Sequence, residues 1–327
     1  MAGQNNSDYQ TYYVPEQSRL AIFAALSMAM MAYGVAGGMN SLTFGGDGSG
    51  SWLIFFGGLA LFLGTLYGWF SMAIKENLKG MNSEQLKRSY RMGMQWFIFS
   101  EVMFFSAFFG ALFYVRTFAG PWLAGDGGHG VESQSILWNG FSYAWPLMET
   151  PQQAIGGAEA QGKLGYLANN GTFAGPEKSM AFPGFKEMFT WLPFWNTVLL
   201  ISSSVWCEFA HHALKKNERK KFNFWLGLTL LFGFVFVGLQ ALEYYEAYAH
   251  YGLTLESGIY GTTFFMLTGF HGFHVCMGAI MLTVQWLRSV KAQHFTAEDH
   301  FGFEASAWYW HFVDVVWIFL VLVVYLY

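Results

Sequence analysis

Apolar and polar residues segregate along this chain into long blocks rather than alternating with a strand period. Seven blocks are apolar for around 20 residues, the length an α-helix needs to cross the hydrocarbon core of a bilayer. Residues 20–39 and 52–74 carry no charge, and the second block holds Gly64-x-x-x-Gly68, a small-residue face suited to close helix contact. Residues 92–115 contain one charge, Glu101. Residues 192–214 are less apolar, with Pro193 near the start and Glu208, His211 and His212 towards the end. Residues 222–242 are uncharged, 258–287 hold His271 and His274, and 305–327 carry only Asp314. The pattern predicts an all-α integral membrane protein with seven transmembrane helices.

The connection 116–191 breaks this compact layout. It is rich in Gly, Ser, Asn and Gln, with Pro121, Pro146, Pro151, Pro176 and Pro183, and no apolar run in it could span a bilayer. Loops of this length are usually functional or disordered. Its aromatics, Trp122, Trp138, Phe141, Tyr143 and Trp145, predict packing on something. That could be its own chain, the outer surface of a complex, or a neighbouring subunit or electron donor.

Charge sets the expected orientation. Lys75, Lys79, Lys87, Arg88 and Arg91 lie between the second and third blocks, Lys215, Lys216, Arg219, Lys220 and Lys221 between the fourth and fifth, and Arg288 and Lys291 after the sixth. Residues 40–51 and 243–257 have no Lys or Arg. By the positive-inside rule the N-terminus faces the cytoplasm or matrix and the C-terminus lies outside, with 116–191 on the outer face. Residues 1–18 are polar and lack a basic n-region, so no cleaved signal is expected and residues 1–19 read as a cytoplasmic tail.

Composition agrees. The chain is 54% hydrophobic and 12% charged, against roughly 25% charged residues in soluble proteins. A net charge of −4 and the absence of a basic tract argue against a nucleic-acid partner. Cys207 and Cys276 each sit in an apolar run, which is neither a disulfide framework nor a zinc pattern.

The candidate chemistry lies in ionisable residues at membrane depth, which are expensive and usually face protein or water. Glu101 stands alone in its block. His300 and Glu304 are one helical turn apart, and His311 and Asp314 three residues apart, so each pair can satisfy itself on one face. Such residues either fix how helices dock or mark a functional path. A haem or copper site needs histidines converging from several helices. Here His271 and His274 share one helix and His211 and His212 are adjacent, so structural histidines are expected and no metal. Glu243 and Glu246 fall at the outer end of the fifth block and read as a surface cap.

Five stretches carry a resemblance: residues 89–109 (SYRMGMQWFIFSEVMFFSAFF), 206–214 (WCEFAHHAL), 239–247 (LQALEYYEA), 260–275 (YGTTFFMLTGFHGFHV) and 300–320 (HFGFEASAWYWHFVDVVWIFL). In this order they resemble subunit III of the haem–copper cytochrome c oxidases, aa3 type. The resemblance implies a two-helix unit (20–80) splayed from a five-helix unit (81–327), with phospholipids in the cleft between them. It implies that Arg288 engages a lipid phosphate, a task suited to a planar bidentate guanidinium, and that Phe97, Glu76 and Trp69 match other lipid-binding positions. Phe70 stands where the family commonly has a second tryptophan, Ser71 replaces a basic residue, and Met81 and Asn82 stand where a histidine is usual. The connection 116–191 is longer than is typical.

Glu101 matches a carboxylate of the family that reacts with hydrophobic carbodiimides. This implies a protonated acid accessible from lipid, supporting proton uptake without being an obligatory part of the pump. The implied role is a non-redox subunit that stabilises the catalytic subunit I, alongside subunit II, in a complex that reduces oxygen and pumps protons. Haem a and copper would then sit in partner subunits, and a supercomplex partner could dock at the outer loop. The implied location is a bacterial inner membrane or, alternatively, the mitochondrial one. The other readings are an accessory subunit of a quinol-oxidase or nitric-oxide-reductase-like complex, and a stand-alone proton channel or transporter.

Overall fold

The computed structural model describes residues 18–151, 153–155 and 176–327, all of whose regular elements are helical. Residues 1–17 of the expected tail, and 152 and 156–175 of the expected outer loop, lie outside the described residues. The long helices are α1 (Leu20–Phe44), α2 (Ser49–Leu78), α3 (Glu84–Tyr114), α6 (Leu192–Lys215), α7 (Arg219–Glu246), α8 (Gly258–Ala292) and α9 (Phe301–Leu320). Two short ones, α4 (Gly120–Leu123) and α5 (Gly128–Leu137), lie after α3. Wider π-type turns extend α3, α7 and α9 over Val115–Ala119, Ala247–Tyr251 and Val321–Leu326.

Among the described residues, six helical segments are long and apolar enough to cross a membrane. They contain α1, α2, α3, α7, α8 and α9. Helix α6 has 24 residues, about 36 Å at the helical rise, but is not one of the six. Asn196, Ser202, Ser203, Ser204, Glu208, His211 and His212 dilute its apolar character.

The chain forms two compact units, divided between Gly93 and Met94. In the first, α1 and α2 are joined by a four-residue turn in which Gly45 and Gly46 adopt positive φ. Their axes meet through glycine. A Cβ on Gly34 would lie 2.7 Å from the Ser51 carbonyl oxygen, and one on Gly58 2.9 Å from that of Ser27. The expected Gly64-x-x-x-Gly68 face is not the contact: Gly64 has nothing within 4 Å and Gly68 only Leu20, at 3.6 Å. The interacting glycines follow from which sides of α1 and α2 meet, which spacing within one helix does not determine.

In the second unit α9 is the central element. Phe303, Trp310, Val313, Trp317 and Leu320 are fully buried along it. Two of its indoles dock on α6: Trp310 Nε1–H donates to Ser203 Oγ (3.0 Å) and Trp317 Nε1–H to Thr197 Oγ1 (3.0 Å). The polar residues that dilute α6 therefore serve its contact with α9.

The described parts of the 116–191 connection pack back on this same unit. The amides of Tyr260, Glu177 and Phe182 bond the carbonyls of Leu147, Tyr251 and Tyr325, and the Met180 amide bonds the Tyr260 hydroxyl. Phe141, Leu147 and Met180 are buried. Arg116 lies against the Trp145 and Tyr327 rings and donates to the Tyr327 carbonyl.

Candidate functional site

Glu101 projects from the middle of α3 onto α8. Its Oε2 is 2.8 Å from His274 Nε2, and its Oε1 lies 3.4 Å from Ser100 Oγ. The Glu101 side chain is 21% exposed and that of His274 8%. The Phe270 carbonyl, 2.6 Å from His274 Nδ1, can only accept, so Nδ1 carries a proton. One further proton then occupies the Oε2···Nε2 contact, as a neutral acid facing a neutral ring or as a carboxylate facing an imidazolium. Phe104, Phe105 and Tyr309 wall the imidazole, and Phe97 stacks on Tyr309 at 5.9 Å. The result is a carboxyl–imidazole hydrogen bond between two helices of membrane-spanning length, with one partly open side.

The other histidine of α8 has a different task. His271 is buried, its Nε2–H donates to the Val313 carbonyl (3.2 Å), and its ring lies against Phe236 and Trp317. It ties α8 to α9.

His311 and Asp314 approach within 3.8 Å, but His311 Nδ1 shares its hydrogen bond with Ser204 Oγ at 2.6 Å. Asp314 is buried. Glu208 on α6 reaches His212 (3.3 Å) and lies 4.0 Å from His311 Nε2. His300 Nδ1 bonds the Thr296 carbonyl, with its ring 5.7 Å from His211, and Glu304 lies in the first turn of α9.

Glu243 departs from its expected place on the outer surface. It is fully buried, accepts the Tyr325 hydroxyl on Oε1 (2.7 Å) and lies 3.5 Å from Asn196 Nδ2 through Oε2. The π-type turn after α9 and the returning connection cover the end of α7. Glu246 is partly exposed.

Arg288, near the end of α8, is held in place by Gln285 Oε1 (2.9 Å) and the Phe295 ring (4.7 Å). Its buried Nε has no acceptor. Phe97 is half-exposed and belongs to the same compact unit. Trp69, exposed and stacked on Phe70 at 6.4 Å, and the partly exposed Glu76 belong to the first unit.

Among the described residues, no three His, Cys, Asp or Glu side chains converge as a metal site. His271, His274 and His212 turn to a carbonyl, a carboxylate and a second carboxylate rather than to one point.

Sequence reasoning named Glu101 and His274 but did not pair them, since they lie 173 positions apart. Two unpaired ionisable groups in different apolar blocks were the available signal. It also missed Ser204, Asn196 and Tyr325, whose hydroxyl and amide groups carry no distinguishing pattern.

The family model for cytochrome c oxidase subunit III matches residues 10–122 and 185–327. The gap in this match falls within the long connection. Cytochrome c oxidase subunit 3 of Carassius auratus is 37% identical over 269 residues, covering 82% of this chain and 81% of that protein. Those of Cyprinus carpio and Gadus morhua are 37% and 36% identical over the same coverage. With the match running along both sides of the insertion, this chain, an integral membrane protein, belongs to the cytochrome c oxidase subunit III family.

Proposed function

We propose that the chain is the non-redox subunit III of a proton-pumping cytochrome c oxidase. Its work is to stabilise the catalytic subunit I, in a complex that includes subunit II, to hold phospholipid and to keep proton uptake fast during oxygen reduction. Haem a and copper belong to the partner subunits. The proposal includes α6 as a seventh span, a grouping of two helices and five, and a cytoplasmic N-terminus with a periplasmic C-terminus in a bacterial inner membrane. Arg288 is the lipid-phosphate contact and Phe97 an acyl contact, with Glu76 and Trp69 as further lipid positions. The planar, bidentate guanidinium of Arg288, near the end of α8, suits a phosphate. A supercomplex partner at the outer connection is a further reading of that insertion.

The observation that carries the reading is the Glu101–His274 pair: one proton between two bases at membrane depth, partly open on one side. In Glu101→Gln the amide can donate to Nε2 while Nδ1–H stays on Phe270. Packing therefore survives and the exchangeable proton is lost. Steady-state oxygen reduction is expected to stay within about twofold of wild type, as befits a group outside the reacting centre. Reaction of the complex with a hydrophobic carbodiimide at this residue should disappear. A fall in initial oxygen consumption by two orders of magnitude would place Glu101 in the obligatory path instead.

The direct test compares purified oxidase with and without this chain through repeated turnover. Without it, activity should start near normal and then decay, with slowed proton uptake. Activity absent from the first turnover would mean that the chain carries part of the catalytic apparatus. A colourless preparation without haem a absorbance would favour the channel reading.

A further inference from the structure

We infer that the α6–α7 turn forms a second lipid site, for the headgroup of an anionic phospholipid, separate from Arg288. A shallow, open depression of about 300 Å3 lies there, lined among others by Lys216, Lys221, Phe209 and Trp225. That size suits a phosphate headgroup and the start of its chains, since pockets for whole small molecules run from roughly 300 to 1,000 Å3.

The lining grades from charged to apolar as a membrane interface does. Lys216 and Lys221 sit at the turn, exposed to solvent. Trp225 lies one helical turn, about 6 Å, further along α7 than Lys221, and Phe209 about 10 Å along α6 from Lys216. Trp225 stacks face to face on Trp206, with ring centroids 5.1 Å apart and planes 7° apart, and Phe209 closes on both rings. Tryptophan at headgroup depth, with lysines reaching past it, is the usual arrangement at a bilayer interface.

One feature goes beyond ordinary flanking charge. Lys216 lines the opening and forms no ion pair among the described residues. Opposing charge is limited: Glu218 already pairs with Lys221 (2.9 Å), and His212 with Glu208 (3.3 Å). A zwitterionic headgroup gains less from this balance than a net-negative one.

The test uses the intact oxidase complex. Phospholipid retained through detergent purification is counted by mass spectrometry in wild type, in Lys216→Gln/Lys221→Gln, in Lys220→Gln and in Arg288→Gln. The double variant should lose about one equivalent of anionic lipid, and Lys220→Gln none. Arg288→Gln tests the lipid reading given under the proposed function. Its loss should add to that of the double variant, so either site can fail without the other. A double variant retaining as much lipid as Lys220→Gln overturns the proposal.

Amine-reactive labelling of the wild-type complex provides a check that needs no variant. Lys216 should be protected in phosphatidylglycerol nanodiscs and reactive in phosphatidylcholine nanodiscs, with or without inorganic phosphate. Equal protection in lipid-free detergent would mean that a protein partner covers this face, and would also overturn the proposal.

Discussion

Gly233→Val is expected to strip this subunit from the purified oxidase, whereas Gly238→Val on the same helix should leave it in place. The difference lies in Trp310. Its indole is fully buried and sits in two notches, one at Gly233 on α7 and one at Gly278 on α8. A Cβ at Gly233 would lie 2.7 Å from Cη2 of the ring, and one at Gly278 2.9 Å from Cε3. Neither contact can be relieved by a swinging side-chain end, because the ring is enclosed and tethered by its N–H to Ser203 on α6. One side chain thus joins four helices.

A single extra methyl in a tight core costs about 1–3 kcal/mol, and valine brings three carbons. If the ring is displaced, the Ser203 bond, worth about 1 kcal/mol, is lost as well. Around Gly238 nothing of this chain lies within 4 Å, so valine there meets no packed side chain. Trp310→Ala should also weaken retention. Lipid tails are as apolar as the lost side chain, so that cost is one of packing and cavity rather than of transfer from water. Subunit retention after detergent exchange, scored against haem a, checks all three. Equal loss from both glycine variants would refute the notch argument.

Six of the seven expected spans were legible because hydrocarbon imposes one demand on every residue inside it, and that demand shows in the sequence residue by residue; α6 is the exception. Their ends were less so. Helix α3 begins at Glu84, eight residues before its apolar block, because Glu84 to Arg91 are good helix formers that carry the helix into water. Glu101 was legible as a lone charge, but its partner was not, since pairing depends on which faces of α3 and α8 meet. The same limit misdirected the glycine argument in α2: Gly64 and Gly68 have the right spacing, yet Gly34, Gly38 and Gly58 face the partner helix. Glu243 was misplaced for a topological reason. A residue near the end of a span reads as surface unless something folds over it, and here the π-type turn ending at Leu326 does so from 82 positions away.

That buried carboxyl group leads to the second large expected effect. Glu243→Leu should free the end of the chain and loosen the subunit, while Glu243→Gln should be nearly silent. In wild type, Glu243 takes the Tyr325 hydroxyl and approaches Asn196, and the side chain of Gln240, one turn before it on α7, has no partner of its own. Glutamine keeps an oxygen for Tyr325, and its amide can donate to Asn196 Oδ1, which has no partner now. Leucine leaves the Tyr325 hydroxyl and the Asn196 amide unanswered in a closed space, at about 1–3 kcal/mol for each group.

Tyr325 in turn anchors other elements: its carbonyl holds the Phe182 amide, and its ring packs on Trp191, Phe264 and Trp317. Hydrogen exchange should therefore rise in Glu243→Leu over residues 177–191 and 321–327 together, with α8 unchanged at mid-helix. In a double-mutant cycle with Tyr325→Phe the coupling should be about 1–2 kcal/mol, near the upper end of values for polar contacts between helices in lipid. Exchange rising only at the chain end, without the 177–191 segment, would show that the insertion is held by contacts other than this one.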